Sequence, residues 1–191
     1  MRELALHILD LAQNSIAAGA TTIDLSVVED RSADQLEIVL KDNGRGMDAE
    51  TAARAIDPFY TTRTTRRQGL GLPLFQAMCE RCEGTLELTG TGGQECPPYP
   101  GGTGTVVRGR MRLSHLDRPP LGDMGAVVQA LACEAGRVRL RYHHRVNKEL
   151  FELDTAELQG RLGEVPVTDP TVLHWLGGFV NDGLREVHST A

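Results

Sequence analysis

An acid and an amide lie one helical turn apart near the N-terminus. In the stretch LHILDLAQNSIAAGATTIDLSV, Asp10 precedes Asn14 by four residues, so both side chains project from one helical face. The apolar stripe on the other side comprises Ala5, Ile8, Leu9, Ala12 and Ile16. An amide oxygen is a suitable ligand for Mg²⁺, and a carboxylate one turn away can orient or deprotonate a water molecule. The pair predicts a site lined by this helix, with a solvated polar face as the alternative.

Three glycine motifs follow along the chain. Asp42-Asn-Gly44-Arg-Gly46 stands at the end of a predicted strand, Gly69-Leu-Gly71-Leu opens a predicted helix, and Gly102-Thr-Gly104-Thr enters another strand. The backbone N–H groups at such a helix N-terminus form an anion site. The segment TTRTTRR just before it, with Arg63, Arg66 and Arg67, is either an ordinary basic loop or a short lid whose arginine reaches a terminal phosphate.

Taken in this order, the four motifs resemble the Bergerat-fold ATPases. This superfamily, often called GHKL, groups type II topoisomerases, a heat-shock chaperone, histidine kinases and the mismatch-repair protein MutL. The resemblance covers about residues 4 to 113. NSIAAGAT is most similar to the mismatch-repair branch, whereas DPFYTTR followed closely by GLGL is most similar to the histidine-kinase branch. The resemblance implies a histidine-kinase-like ATP-binding domain over residues 1–116, with ATP and Mg²⁺ as ligands.

The resemblance also implies a role for individual residues. Asn14 would hold Mg²⁺, Asp10 would be the catalytic residue, and Asp42 would accept a hydrogen bond from the exocyclic amine of adenine. The other implied nucleotide-binding residues are Gly44, Gly46, Met47, Thr61, Thr62, Arg63, Gly69, Leu70, Gly71, Leu72 and Thr105. Branches that hydrolyse ATP usually place glutamate where this chain has Asp10, so the shorter acid predicts a bridging water molecule or slow hydrolysis. His7, one turn earlier, either assists the site or packs.

Hydrophobic periodicity and the resemblance together predict an α/β two-layer sandwich. A mixed, mostly antiparallel sheet would have one face covered by the helices that line the nucleotide pocket. Predicted strands are Thr22–Val28, Leu36–Leu40, Thr85–Thr89 and Thr103–Leu113, and predicted helices end near Gly19, Ile56 and Gly84. RPPLGD marks a boundary, after which residues 121–188 predict a small α+β unit of a helix, a β-hairpin and two helices.

Composition sets limits on the class of protein. The chain has 191 residues, 40% of them hydrophobic, and a formal charge of −6, which argues against nonspecific binding to nucleic acid. No apolar run reaches the length of a membrane span, and the N-terminus lacks a signal-peptide pattern. We therefore expect a cytoplasmic protein, bacterial by the resemblance, that does not associate with membranes and whose cysteines are free thiols.

Two further clusters have simple structural interpretations. Cys79 and Cys82 have a spacing that metal sites use, but helix periodicity already explains both positions. The basic strand with Arg139, Arg141, His143 and Arg145 faces a partner strand that carries Glu149 and Glu152. Cross-strand ion pairing is therefore simpler than nucleic-acid binding.

Three functions are compatible with these features. The first is a kinase-type module that phosphorylates a partner protein, the second is an ATP-driven conformational switch that docks to a partner or to a second copy, and the third is a mismatch-repair-like DNA protein. The acidic charge disfavours the third. The chain begins almost at the Asn14 helix, so we expect a kinase of this type to act on another protein or on His115, whose context resembles a phosphoacceptor box. The opening run is also similar to proteins encoded near iron hydrogenase or NADH-dependent flavoprotein subunits, which suggests a redox partner.

Overall fold

The computed structural model describes residues 3–56, 71–91, 103–134 and 138–189. The helices in these ranges are α1 (Leu4–Ala17), α2 (Ala49–Ala55), α3 (Gly71–Arg81), α4 (Met124–Ala132), α5 (Thr155–Leu162) and α6 (Pro170–Glu186). The strands are β1 (Thr22–Asp30), β2 (Gln35–Asp42), β3 (Thr85–Thr91), β4 (Gly104–Arg112), β5 (Arg139–Val146) and β6 (Glu149–Asp154). No helix within the described ranges is both long enough and apolar enough to cross a membrane.

Local sequence signals explain where the first helices begin and end. α1 ends just before Gly19, whose φ of 79° lies in the left-handed region that glycine adopts without strain. α2 is capped by Asp48, whose side chain accepts a hydrogen bond from the backbone N–H of Thr51. The predicted helix ends near Gly19 and Ile56 are confirmed within the usual one or two residues.

One six-stranded sheet organises the chain, in the order β3-β4-β2-β1-β5-β6. All neighbours are antiparallel except β1 and β5, which are parallel. The predicted mixed, mostly antiparallel sheet is therefore confirmed. The predicted hairpin is formed by β5 and β6, turns at Asn147, and adds its strands to the sheet that contains β1. The division of the chain into domains 1–116 and 121–188 stays a prediction, with the two parts joined through one sheet.

The two faces of the sheet differ in composition. Along β1, side chains alternate between buried and half-buried, with Leu25 and Val27 fully buried on the inner face. That face packs with α1, α3, α4 and α6 in one hydrophobic core. The outer face carries partly exposed polar side chains such as Asp24 and Lys41. This is the predicted α/β two-layer sandwich.

Cys79 and Cys82 belong to the core. A Cβ added at Gly109 of β4 would lie 2.6 Å from the Phe75 ring and 3.0 Å from the Cys79 Sγ, so α3 packs directly on the strand. Burial raises the pKa of the Cys79 thiol to about 12, which disfavours the thiolate that a metal requires. Among the residues that the structure describes, no group of three or more His, Cys, Asp or Glu side chains is placed to hold a metal ion. The structure therefore supports the packing interpretation.

Candidate nucleotide-binding site

Asp42 ends β2 as a buried carboxylate, only 2% exposed. Its Oδ2 accepts a hydrogen bond of 2.7 Å from the Ser15 hydroxyl on α1, and its Oδ1 accepts one of 2.9 Å from the backbone N–H of Gly44. These two donors fix the orientation of the carboxylate. Sequence reasoning missed Ser15, although its position directly after Asn14 was a usable signal.

The loop after Asp42 is held against the end of α1. A Cβ added at Gly44 would lie 3.1 Å from the Ala18 Cβ and from the Ala18 carbonyl oxygen, and the Arg45 N–H donates to that carbonyl. Gly46 has a φ of 67°, a conformation that strains other residues. The Thr103 hydroxyl donates to the Gly44 carbonyl at 2.7 Å. The loop therefore requires both glycines, as the motif predicted.

The GTGT motif closes the other side of this loop. Thr105 is 6% exposed and lies opposite Asp42 in the β2–β4 register. A Cβ added at Gly104 would lie 2.1 Å from the Asp42 carbonyl oxygen. The backbones of Gly104 and Asp42 are therefore too close for any residue other than glycine at position 104. Met47 lies against Gly90 of β3. The structure thus brings Asp42, Met47 and Thr105 into one region.

The N-terminus of α3 lies beside the acid and amide of α1. A Cβ added at Gly71 would be 3.4 Å from the Asp10 Cβ and 3.8 Å from the Asn14 Nδ2. The first N–H groups of a helix have no partner within the helix and attract anions. Leu72, the next residue, is half-buried against the core. Two motifs far apart in sequence therefore meet, and the acid, the amide and a helix N-terminus form one polar surface.

Several implied nucleotide-binding residues cannot be placed. These residues, which lie outside the described ranges, are Thr61, Thr62, Arg63, Gly69 and Leu70. Their assignment to a lid and to a phosphate-binding turn stays a prediction.

Asp10 is partly buried at this surface, and desolvation raises the pKa of its carboxyl group above the usual value. A carboxylate with a raised pKa is a stronger base once it has lost its proton. The electrostatics are thus compatible with the predicted role in activating water.

His7 packs in the core. The residue is 4% exposed, its ring centroid lies 5.9 Å from that of Phe75, and its Nδ1 has no hydrogen-bond partner among the described residues. Burial lowers the pKa of the imidazole from 6.5 to about 4, so the ring is neutral at pH 7. Of the two interpretations of His7, these contacts favour packing.

Replacing His7 with leucine is expected to reduce the sensitivity of the protein to mild acid. Because the folded state disfavours the protonated ring, the unfolded state binds a proton first as the pH falls below 6.5, and stability is lost until about pH 4. Between pH 7.5 and 4.5 the wild type should lose about 2 to 3 kcal/mol through this group. Urea unfolding at both pH values measures the loss. The control is His174→Leu on the exposed side of α6, which should keep the pH dependence of the wild type. If His7→Leu keeps it as well, His7 is not the group that causes the loss of stability.

With this geometry established, comparison with known proteins identifies the class. The family model described as "Histidine kinase-, DNA gyrase B-, and HSP90-like ATPase" matches residues 2–115. The chain belongs to this family of ATPase domains, and the resemblance inferred from its motifs is confirmed.

Individual relatives agree with the histidine-kinase branch. The chain is 43% identical over 58 residues to the sensor protein kinase FleS of Pseudomonas aeruginosa, covering 30% of this chain and 14% of that one. It is 41% identical over 68 residues to the tetrathionate sensor histidine kinase TtrS of Salmonella typhimurium, covering 36% of this chain and 10% of that one. The chain therefore spans a small fraction of these proteins.

A solved structure supports the fold. The Aquifex aeolicus MutL ATPase domain complexed with ADP is similar with a TM-score of 0.52 at 16% identity, covering 85% of this chain and 68% of that one. At this identity the likeness concerns the fold alone.

Proposed function

We propose that this chain binds Mg-ATP between α1, α3 and the loop of residues 42–47, and that it transfers the terminal phosphoryl group to a partner protein. The observation that carries the proposal is the position of Gly71 at the start of a helix, where an added Cβ would lie within 4 Å of Asp10 and Asn14. The buried Asp42, at the end of β2, is held to the same helix α1 by the hydrogen bond from Ser15. One pocket would thus contain an acceptor for the base and donors for the phosphates.

The adenine end of the pocket is Asp42. Its carboxylate is fixed by Ser15 and Gly44 whether or not a ligand is present, so little ordering is required on binding. A carboxylate accepts and does not donate, which suits the exocyclic amine of adenine. Thr105 lies beside it and supplies a hydroxyl, and Met47 supplies an apolar surface for the purine.

The phosphate end is the surface of Asn14, Asp10 and the start of α3. The Asn14 side-chain oxygen is a hard ligand suited to Mg²⁺, and the N-terminal N–H groups of α3 are suited to phosphate oxygens. When bound, Mg²⁺ neutralises part of the triphosphate charge. Asn14 and Gly71 are adjacent in the described structure, so the metal ligand and the anion site fit one triphosphate.

The acceptor of the phosphoryl group is proposed to be another molecule. The phosphate end lies at Gly71, where α3 begins, whereas the His115 Nε2 lies 3.9 Å from the Glu83 Oε1, beyond the last residue of that helix. The 11 residues of α3 span roughly 16 Å. The Nδ1 of His115 also accepts a hydrogen bond from the Asp117 N–H at 3.1 Å. Transfer from the nucleotide pocket to His115 of the same chain is therefore not geometrically feasible without a large rearrangement.

Substitutions at Asp10 are expected to separate water activation from phosphoryl transfer. With γ-labelled ATP and candidate partners, Asp10→Asn should reduce the release of free phosphate about 100-fold, the scale of losing a general base. Asp10→Glu should release phosphate at least as fast as the parent, because the longer side chain reaches further. The wild-type rate should rise with pH through the raised pKa of Asp10, and Asp10→Asn should lose that dependence.

The fate of the label tests the function. Acid-labile label on a partner supports the kinase, and retention of that label in a His115→Ala background excludes His115 as the acceptor. Free phosphate with no labelled protein in any mixture would contradict phosphotransfer and favour an ATP-driven switch. The observation that favours this second candidate is the parallel pairing of β1 with β5, which links the ATPase sheet to the C-terminal elements.

A further inference from the structure

A cleft of about 350 Å³ lies on the outer face of the sheet, opposite the helix layer. Its floor is low because two short side chains, Ser26 and Val39, are adjacent in the β1–β2 register. Arg108 of β4 continues this row on one side and His143 of β5 on the other. Long side chains thus surround a floor of short ones, which gives the open sheet a concave site.

The carboxylates in the cleft are already engaged. Asp24 forms a two-pronged ion pair with Arg141, with a distance of 2.5 Å between the Arg141 Nη2 and the Asp24 Oδ2. Glu37 accepts a hydrogen bond of 2.7 Å from the Nε of Arg110 and lies 3.9 Å from the Nε of Arg108. Arg108 therefore retains most of its capacity to donate hydrogen bonds.

The residues that line the cleft include three cations, Lys41, Arg108 and Arg141, and two carboxylates, Asp24 and Glu37, which leaves one net positive charge. Lys41 forms no ion pair with any carboxylate in the described part of the chain. The Ser26 hydroxyl has no hydrogen-bond partner among the described residues. The cleft therefore has a positive net charge, whereas the whole chain has a formal charge of −6.

We propose that this cleft binds the phosphate group of a small phosphorylated metabolite. A guanidinium, an ammonium and a hydroxyl that line one cleft match the charge and the acceptor oxygens of a phosphate monoester. The volume lies at the lower end of the range of small-molecule sites and leaves room beside the phosphate for a small organic group.

This site is separate from the nucleotide pocket. Lys41 projects from the outer face of β2, and Asp42, the next residue, projects from the inner face. The sheet lies between them, so occupation of one site does not exclude occupation of the other.

The test is calorimetric titration of the full chain with glycerol phosphate and with inorganic phosphate at low ionic strength. Lys41→Met and Arg108→Gln should each weaken binding about tenfold, the scale of one charged hydrogen bond. The matched control is Lys148→Met, which removes a lysine from the exposed β5–β6 turn and should leave the affinity unchanged. Melting temperatures of the variants verify that all are folded.

Five outcomes would overturn the proposal. The first is that neither phosphate compound binds, and the second is that both cleft variants bind as the parent does. An equal loss in Lys148→Met would show diffuse attraction by surface charge. Loss of binding in Asn14→Ala, with the cleft variants unaffected, would place the phosphate in the nucleotide pocket. Equal affinity for succinate would show that the site does not select phosphate.

Discussion

Replacing Asp42 with asparagine is expected to weaken ATP binding strongly while the chain stays folded. The asparagine Oδ1 can still accept from the Gly44 N–H, and its amide can donate to the Ser15 hydroxyl, so the local structure is retained. The amide then presents donors to the adenine amine, which is itself a donor. Losing one charged hydrogen bond and gaining a donor–donor conflict should weaken binding at least about 30-fold, roughly 2 kcal/mol.

The measurement is calorimetric titration with a non-hydrolysable ATP analogue and Mg²⁺. Asp48→Asn is the matched control, since Asp48 is exposed, lies a few residues away, and asparagine also caps helices.

Asn14→Ala should weaken binding in the presence of Mg²⁺ and have less effect in its absence, whereas Gln13→Ala, on the neighbouring exposed position of α1, should bind as the parent does. If Asp42→Asn binds the analogue normally, the pocket is assigned to the wrong residues.

Replacing His144 with alanine is expected to destabilise the fold by about 3–5 kcal/mol, the scale of breaking a buried pair by removing one partner. His144 and Glu29 are both 0% exposed, and the His144 Nε2 lies 2.9 Å from the Glu29 Oε1. The Tyr142 hydroxyl lies 2.8 Å from the His144 Nδ1, and burial raises the pKa of this phenol, so it stays protonated and donates. The imidazole then donates through Nε2 to the carboxylate. The Ser189 hydroxyl also donates to the Glu29 Oε1, at 2.5 Å.

The sheet offers a matched comparison. His143, the preceding residue, forms the same kind of pair with Glu152 at 2.9 Å on the exposed face. His143→Ala should cost at most about 1 kcal/mol, because exposed pairs contribute little. The double variant Glu29→Leu/His144→Leu should cost less than the sum of its single changes, since no buried charge remains. Urea unfolding measures all these values, and equal losses for His143→Ala and His144→Ala would contradict the argument.

The sequence was most informative where a motif requires a particular backbone. The turn glycines at 44 and 46, the cap at Asp48, the end of α1 before Gly19 and the hairpin at Asn147 all follow local rules of conformation, and the structure contains each of them. Tertiary packing decided the core face of α1. The stripe inferred from periodicity included Leu9 and Ile16, which are only partly buried, and omitted Ser15 and His7, which are buried. Ser15 is buried because it donates a hydrogen bond to Asp42, and His7 is buried because its ring packs near Phe75. Hydrophobic periodicity within one helix does not identify such partners on other elements.

By itself, the sequence determined the class of fold, because the glycine motifs and their order identified the family. The roles of Asp10, Asn14 and Asp42 stay predictions from the residue types and their spacing. Only the tertiary structure decided what these residues contact. It brought Gly71 against Asp10 and Asn14, gave Asp42 its donor in Ser15, and paired β5 with β1 so that His144 reaches Glu29. The physical reason is that conformation follows from neighbours in the chain, whereas these contacts join residues far apart in sequence and depend on how the layers pack.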